Sequence, residues 1–221
     1  MEEVIEYLDK LDVKDDSIVL LKNPDVIKWL FNGVDKIDEF KSITDKKYKS
    51  IKEKESAMKK AEDKWGKAIM KLKAPKLKFN NQWTNKFGEY LAIELYKLIG
   101  YENITKPIKM NGLLPDMEVE DYIIEVKTGT YYTSGTAHEK ILGTPFKYAD
   151  IPQLYGKPLK ILCIGGAEMR CRNDYGNIKG KKTSKSRQKF LDFYKENGIE
   201  FISFTDILGD LIKSGKTSKS K

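Results

Sequence analysis

The run Tyr122-Ile123-Ile124-Glu125-Val126-Lys127 constrains this chain more than any other stretch. It is crowded with β-branched residues and ends at a Thr-Gly breaker, so it reads as a buried strand. Successive strand side chains point to opposite faces, so Glu125 and Lys127 share one face. Just upstream, Leu114-Pro115-Asp116 reads as the opening of a second strand, joined to the first by a turn near Glu120-Asp121. With Asp116 beside Glu125 and Lys127, two carboxylates and one ammonium converge. Such a set holds a divalent cation through hard oxygen ligands and poises a water for attack. By spacing alone, the same residues equally describe an ordinary hairpin with an exposed Glu and Lys.

Chance matches are expected, because 33% of the chain is charged. Pro24-Asp25, followed by Glu39-Phe40-Lys41 and by Asp45-Lys46-Lys47, fits the same loose pattern. There, however, Val26, Leu30 and Val34 recur at helical spacing and no β-branched run appears. That match reads as an accident of a helical surface, and the later one as the candidate site.

The 221 residues suffice for one packed domain and an appendage. No apolar run reaches membrane-spanning length, and the start MEEVIEYLDK is acidic and unlike a secretion signal, so a cytoplasmic protein with no membrane partner is expected. The two cysteines, Cys163 and Cys171, lack metal-site spacing and are expected as free thiols rather than a disulfide. A single histidine, His138, argues against zinc and against a Ser-His-Asp triad. The net charge of +8 favours a polyanionic partner. Its sharpest cluster is Lys179, Lys181, Lys182, Lys185 and Arg187, set among small hydroxyl residues as in phosphate-backbone contacts. Solvated surface is the competing account of that run.

The first part reads as helical. Short helices precede a longer one, roughly from Lys46 to Leu72, in which Ile51, Met58, Trp65 and Leu72 recur every seven residues and are expected to pack on the core. Pro75 breaks this pattern, and the following linker holds Asn80, Asn81, Gln82 and Trp83. A boundary is placed there, giving a helical region 1–75 for DNA binding or dimerisation and a core 76–221. Thr84 is the expected N-cap of the next helix and Gly100 its stop, with Phe87, Leu91, Leu95 and Leu98 as the apolar stripe. Beyond it the order reads three strands (the first, "NITKPIKM", a strand or an extended stretch), helix, strand, helix, strand, helix. Thr136 and Glu139 make a capping box. The class is α/β (α+β), a mixed β-sheet flanked by helices.

Pro115-Asp116 with Glu125-Val126-Lys127, in this succession of elements, resembles the PD-(D/E)XK nuclease superfamily, and most of all a type II restriction endonuclease. GEYLAIELYKLIGYENI is similar to the opening helix of that family through Gly88, Glu89, Ala92, Gly100 and Tyr101. The resemblance covers about Thr84 to Phe204 and implies a restriction-endonuclease-like core. It implies that Asp116, Glu125 and the main-chain carbonyl of Val126 bind Mg²⁺, with Mn²⁺ as a substitute. It implies that Lys127 orients water and stabilises charge on phosphate, and that Glu89 assists at the edge of the site. Glu94 competes with Glu89 for that role. His138, Glu139 and Lys140 are candidates for the neighbourhood of the scissile phosphate, Glu139 equally for a helix cap. The products would be 5′-phosphate and 3′-hydroxyl ends.

The expected function is therefore Mg²⁺-dependent, sequence-specific cleavage of double-stranded DNA by a homodimer, whose two-fold symmetry matches a palindrome. A cognate DNA methyltransferase is expected in the same system. Asn80, Asn81 and Gln82 are candidates to read adenine edges. The alternatives are a structure-specific or repair nuclease of the same superfamily and a non-catalytic DNA-binding module. One departure from the family pattern stands out: the Asp116-to-Glu125 spacing is short and demands a tight turn at Glu120-Asp121.

Overall fold

A computed structural model describes residues 1–11, 17–76, 82–133, 136–178, 180 and 182–218, with backbone alone for Lys36, 136–138 and 216–218. The chain runs through α1 (Glu2–Asp9), α2 (Pro24–Asn32), two 3-10 turns, α3 (Lys41–Thr44), α4 (Ile51–Lys73) and α5 (Trp83–Leu98). Strands β1 (Met117–Glu118) and β2 (Ile123–Gly129) follow, then a 3-10 helix, α6 (Thr144–Lys147), α7 (Ile151–Tyr155) and β3 (Leu159–Gly165). The chain closes with α8 (Gly166–Arg170), a π-turn, α9 (Lys185–Glu196), β4 (Ile199–Ser203) and α10 (Phe204–Ser218).

The sheet has the order β1-β2-β3-β4. The β1–β2 pair is antiparallel, and β2–β3 and β3–β4 are parallel with helical crossovers. The expected mixed sheet flanked by helices is thus present. β3 is buried at every position but Lys160, which is why its sequence is nearly all apolar, as in a central parallel strand. Along β2 the faces alternate: Ile124 joins one hydrophobic core and Ile123 the other. No helix among the described residues is long and apolar enough to cross a membrane.

Several boundaries differ from the sequence reading. The stretch "NITKPIKM" forms no strand; it touches its neighbours through isolated bridges, Thr105 to Glu118 and Met110 to Leu113. α4 starts at Ile51, where Ser50 caps it by accepting the Glu53 N–H at 3.2 Å. Its seven-residue stripe holds only in the middle. Met58 and Trp65 are buried, whereas Ile51 is 79% and Leu72 56% exposed, and the buried face continues through Glu62, Gly66 and Met70. An α-helix drifts away from a strict seven-residue period, so a stripe at that spacing leaves the core towards both ends. Trp83 belongs to α5 rather than to a linker, so the N-cap is Gln82 and not Thr84. Gly100 follows the helix at φ 101, a left-handed turn that suits glycine. On α9, Phe190 and Phe193 stay exposed although the sequence gives that helix an aromatic face.

One continuous core crosses the 75/76 division, holding Leu8, Leu21, Trp29 and Met58 together with Phe87, Ile124, Leu162 and Phe204. Its centre is aromatic. Trp29, Trp65 and Trp83 lie 6.0–6.3 Å apart between ring centroids, and Phe87 sits 5.2 Å from Trp83. Tilted and edge-on contacts of this kind each add about 1 kcal/mol beyond burial.

Two buried glutamates tie the first helices to the rest. Glu94 on α5 accepts the Leu20 and Leu21 N–H groups, both at 2.9 Å, and pairs with Lys73 at 3.0 Å. Glu62 on α4 accepts Trp29 Nε1 at 2.7 Å and the Tyr131 N–H at 3.1 Å. The free thiols Cys163 and Cys171 face each other across 3.6 Å in the second core.

Candidate active site at the edge of the second strand

The short spacing is what builds the site. Met117 pairs with Ile124 and Glu118 with Ile123, and the Val119 N–H donates to the Tyr122 carbonyl at 3.0 Å, closing a two-residue turn at Glu120-Asp121. Extending this register one step back sets Asp116 across from Glu125, just before the first residue of β1. Asp116 therefore precedes its strand rather than lying within it. Its Oδ2 accepts the Val126 N–H at 2.8 Å, taking the place of the backbone partner that β1 is too short to provide. The N–H and C=O of a strand residue point to the same edge, so the Val126 carbonyl faces the Asp116 side as well.

Asp116, Glu125, Val126 and Lys127 line one pocket of about 230 Å³ with Asn85, Glu89 and Thr128. The four principal candidates and Glu89 are thus brought together. α5 reaches the pocket because position 88 is glycine. A Cβ there would lie 1.8 Å from Thr128 Oγ1 and 3.1 Å from Val126 Cγ1. Gly88→Ala is expected to destabilise the fold by about 1–3 kcal/mol through overpacking. Urea denaturation checks this; a variant as stable as the parent would show that the helix–strand contact is slack.

Electrostatically the pocket is short of positive charge. Burial pushes the Asp116 carboxyl above its usual range, with Glu89 adding to the shift and the Val126 N–H and Lys127 opposing it. Burial also pushes Glu125 up, reinforced by the Asp116 charge and opposed by Lys127. Lys127 Nζ sits 2.5 Å from Glu125 Oε1, while Glu125 Oε2 is buried with no hydrogen-bond partner. An orphaned carboxylate oxygen, a second carboxylate and a carbonyl on one edge fit a hard divalent cation. Among the described residues no three His, Cys, Asp or Glu side chains form a metal-binding group, so Glu89 lines the pocket without completing a three-acid cluster. Glu89 instead pairs with Lys86 on its own helix.

Other candidates fall elsewhere. Glu94 is committed to Leu20, Leu21 and Lys73 and does not line the pocket. Lys182, Lys185 and Arg187 do not line it either; Arg187 borders a separate hollow of about 230 Å³ with Leu142, Phe190 and Tyr194. Asn80, Asn81, Lys179 and Lys181 lie outside the described residues, as do the side chains of Thr136 and His138. Glu139 is exposed and acts on Tyr175 rather than on the pocket. The early Pro24-Asp25 match opens α2, where Asp25 pairs with Lys28 at 3.1 Å.

Sequence reading missed Asn85, Thr128, Lys147 and Tyr148. Asn85 precedes Glu89 by four residues on one helix face, a signal that was available. Tyr148 was not legible, because it arrives from α6 and its C-cap through tertiary packing alone. Its hydroxyl lies near Glu125 without forming a well-aligned hydrogen bond, and burial followed by the Glu125 charge pushes the phenol up to about 12. Lys147 Nζ donates to that hydroxyl at 3.1 Å and helps hold Glu125 charged. No family model, no curated protein and no solved structure matches this chain.

Proposed function

We propose that the protein is a Mg²⁺-dependent, sequence-specific endonuclease of double-stranded DNA, of the type II restriction kind, with a restriction-endonuclease-like core. The supporting observation is the convergence of Asp116, Glu125, the Val126 carbonyl edge and Lys127 in one pocket at an open strand edge. In this reading Asp116, Glu125 and the Val126 carbonyl hold the ion. When bound, the ion supplies Lewis-acid polarisation of a phosphate oxygen and a lowered pKa for water.

Lys127 remains at the reacting phosphate and offsets the negative charge that grows on its oxygens. The Asp116–Val126 hydrogen bond fixes the carboxylate against the strand, so the acid is held in place before substrate arrives. Tyr148 and Lys147 close the Glu125 side, and burial excludes competing water from that carboxylate.

Incubation with plasmid DNA tests the proposal. Nicking and linearisation are expected with Mg²⁺ or Mn²⁺ and not with chelator, and a DNA of known sequence should give discrete fragments. Absence of cutting with either ion would refute enzymatic function, and preference for branched substrates would favour a structure-specific nuclease. Lys127→Met should slow cleavage by roughly 10²–10³-fold while leaving DNA affinity within a few-fold. Single-turnover rates and anisotropy titrations separate the two effects; equal loss in both would make Lys127 a binding residue.

A further inference from the structure

We infer that a second, larger hollow beside the site is the track for the DNA strand leading away from the scissile phosphate; this rests on the nuclease reading above. The hollow holds about 540 Å³ and shares Asn85 and Thr128 with the candidate pocket, so the two adjoin. Its walls come from three separate parts of the chain. Lys59 and Asp63 belong to α4, Gln82 and Asn85 to the start of α5, and Thr130 and Thr133 to the segment after β2, with Lys140 at the rim. The helical region before position 75 therefore contributes directly to the substrate surface.

The chemistry of these walls selects a polyanion carrying hydrogen-bonding bases. Lys59 and Lys140 are exposed, and neither makes an ion pair among the described residues. Ammonium groups left without a carboxylate suit phosphates. The one acid of the lining, Asp63, is held by Trp83 Nε1 at 2.9 Å. Thr130 and Thr133 share a hydrogen bond, which keeps their hydroxyls side by side. Asn85 Nδ2 donates to Gln82 Oε1 at 3.2 Å, which leaves Asn85 Oδ1 as an acceptor and Gln82 Nε2 as a donor for a base edge. Gln82, a candidate base reader from sequence, is thus set in the hollow next to the site.

The test uses the full chain in an Asp116→Asn background, so that binding is read without cleavage. Anisotropy of a labelled duplex is measured against salt for the parent, for Lys59→Gln/Lys140→Gln and, as a matched charge control, for Lys106→Gln/Lys109→Gln, two exposed lysines that line neither pocket. The first pair should lower affinity about tenfold and flatten the slope of log K against log salt by roughly 1.8, two phosphate contacts' worth. The control pair should change the slope by less than half as much. An unchanged slope in the first pair, or equal changes in both pairs, would overturn the track while leaving the nuclease reading standing. If the Asp116→Asn parent binds no DNA and the unmutated chain cuts none, both fall.

Discussion

Asp116→Asn is expected to reduce DNA cleavage by roughly 10³-fold or more while leaving the fold intact. Asparagine keeps an oxygen acceptor for the Val126 N–H, so the hydrogen bond that orders this edge survives. What it removes is charge. In the parent, half-buried Asp116 lies close to Glu125 and pushes that carboxyl up, so loss of one negative charge relieves repulsion. The melting temperature should therefore hold steady or rise by a few degrees, the pattern of a site that trades stability for function. Cleavage assays and thermal melts on the same preparation decide the matter. A variant that cuts normally would refute the assignment of Asp116, and one that unfolds would make the aspartate structural.

Glu62→Ala carries the largest stability effect expected away from the site. It leaves Trp29 Nε1 and the N–H groups of Tyr131 and Tyr132 without their shared acceptor. Leaving a buried N–H donor unsatisfied costs about 1–3 kcal/mol each, so the loss is a large part of the roughly 5–15 kcal/mol that typically separates folded from unfolded chains. Tyr131 lies two residues beyond β2, so the loop bordering the proposed DNA track should loosen as well. Urea denaturation followed by fluorescence of the tryptophan cluster measures the loss; a change below 1 kcal/mol would mean the three donors find other partners.

Glu62 also predicts a pH dependence. Burial pushes its carboxyl from the usual 4.5 up to about 7, with Trp29 and the backbone donors opposing the shift. A folded-state value above the unfolded one favours the protonated form in the native protein. Its stabilising share is full below about pH 4.5 and is lost as pH rises through about 7, by about 3 kcal/mol in all. Glu62→Gln, which keeps one acceptor and no charge, should flatten this part of the profile between pH 5 and 8. Parallel profiles for parent and variant would refute it.

These expectations draw on very unequal amounts of sequence information. The strand of the candidate site was legible because three signals agreed in one short window: a β-branched run, a breaker after it, and two charges at period two. The same window told it apart from the Asp25 match, which proves to be the first turn of a helix. The tight interval from Asp116 to Glu125 read as a departure from the family pattern. In the structure it is the hairpin register that sets Asp116 across from Glu125. Gly88-Glu89 was legible as a motif, but its reason was not: the glycine is needed because Thr128 packs where a Cβ would be.

The buried acids were the least legible. Glu62 stands in a helix dense with Lys and Glu, where a glutamate reads as solvated surface, and Glu94, set within the apolar stripe of α5, read as a rival to Glu89 for the site. Their partners lie 69 and 74 residues away in the chain, as Tyr131 and Leu20. Sequence by itself determined most of the helices, the long strands, the alternation of faces along β2 and the acidic and basic residues set at its edge, because propensity and side-chain period act over a few neighbours. Only the tertiary structure decided that α5 borders the candidate pocket and α4 the hollow beside it, that Glu94 is a tether while Glu89 lines the pocket, and that Tyr148 approaches Glu125. Burial and hydrogen-bond pairing between distant segments exist only once the chain has closed on itself.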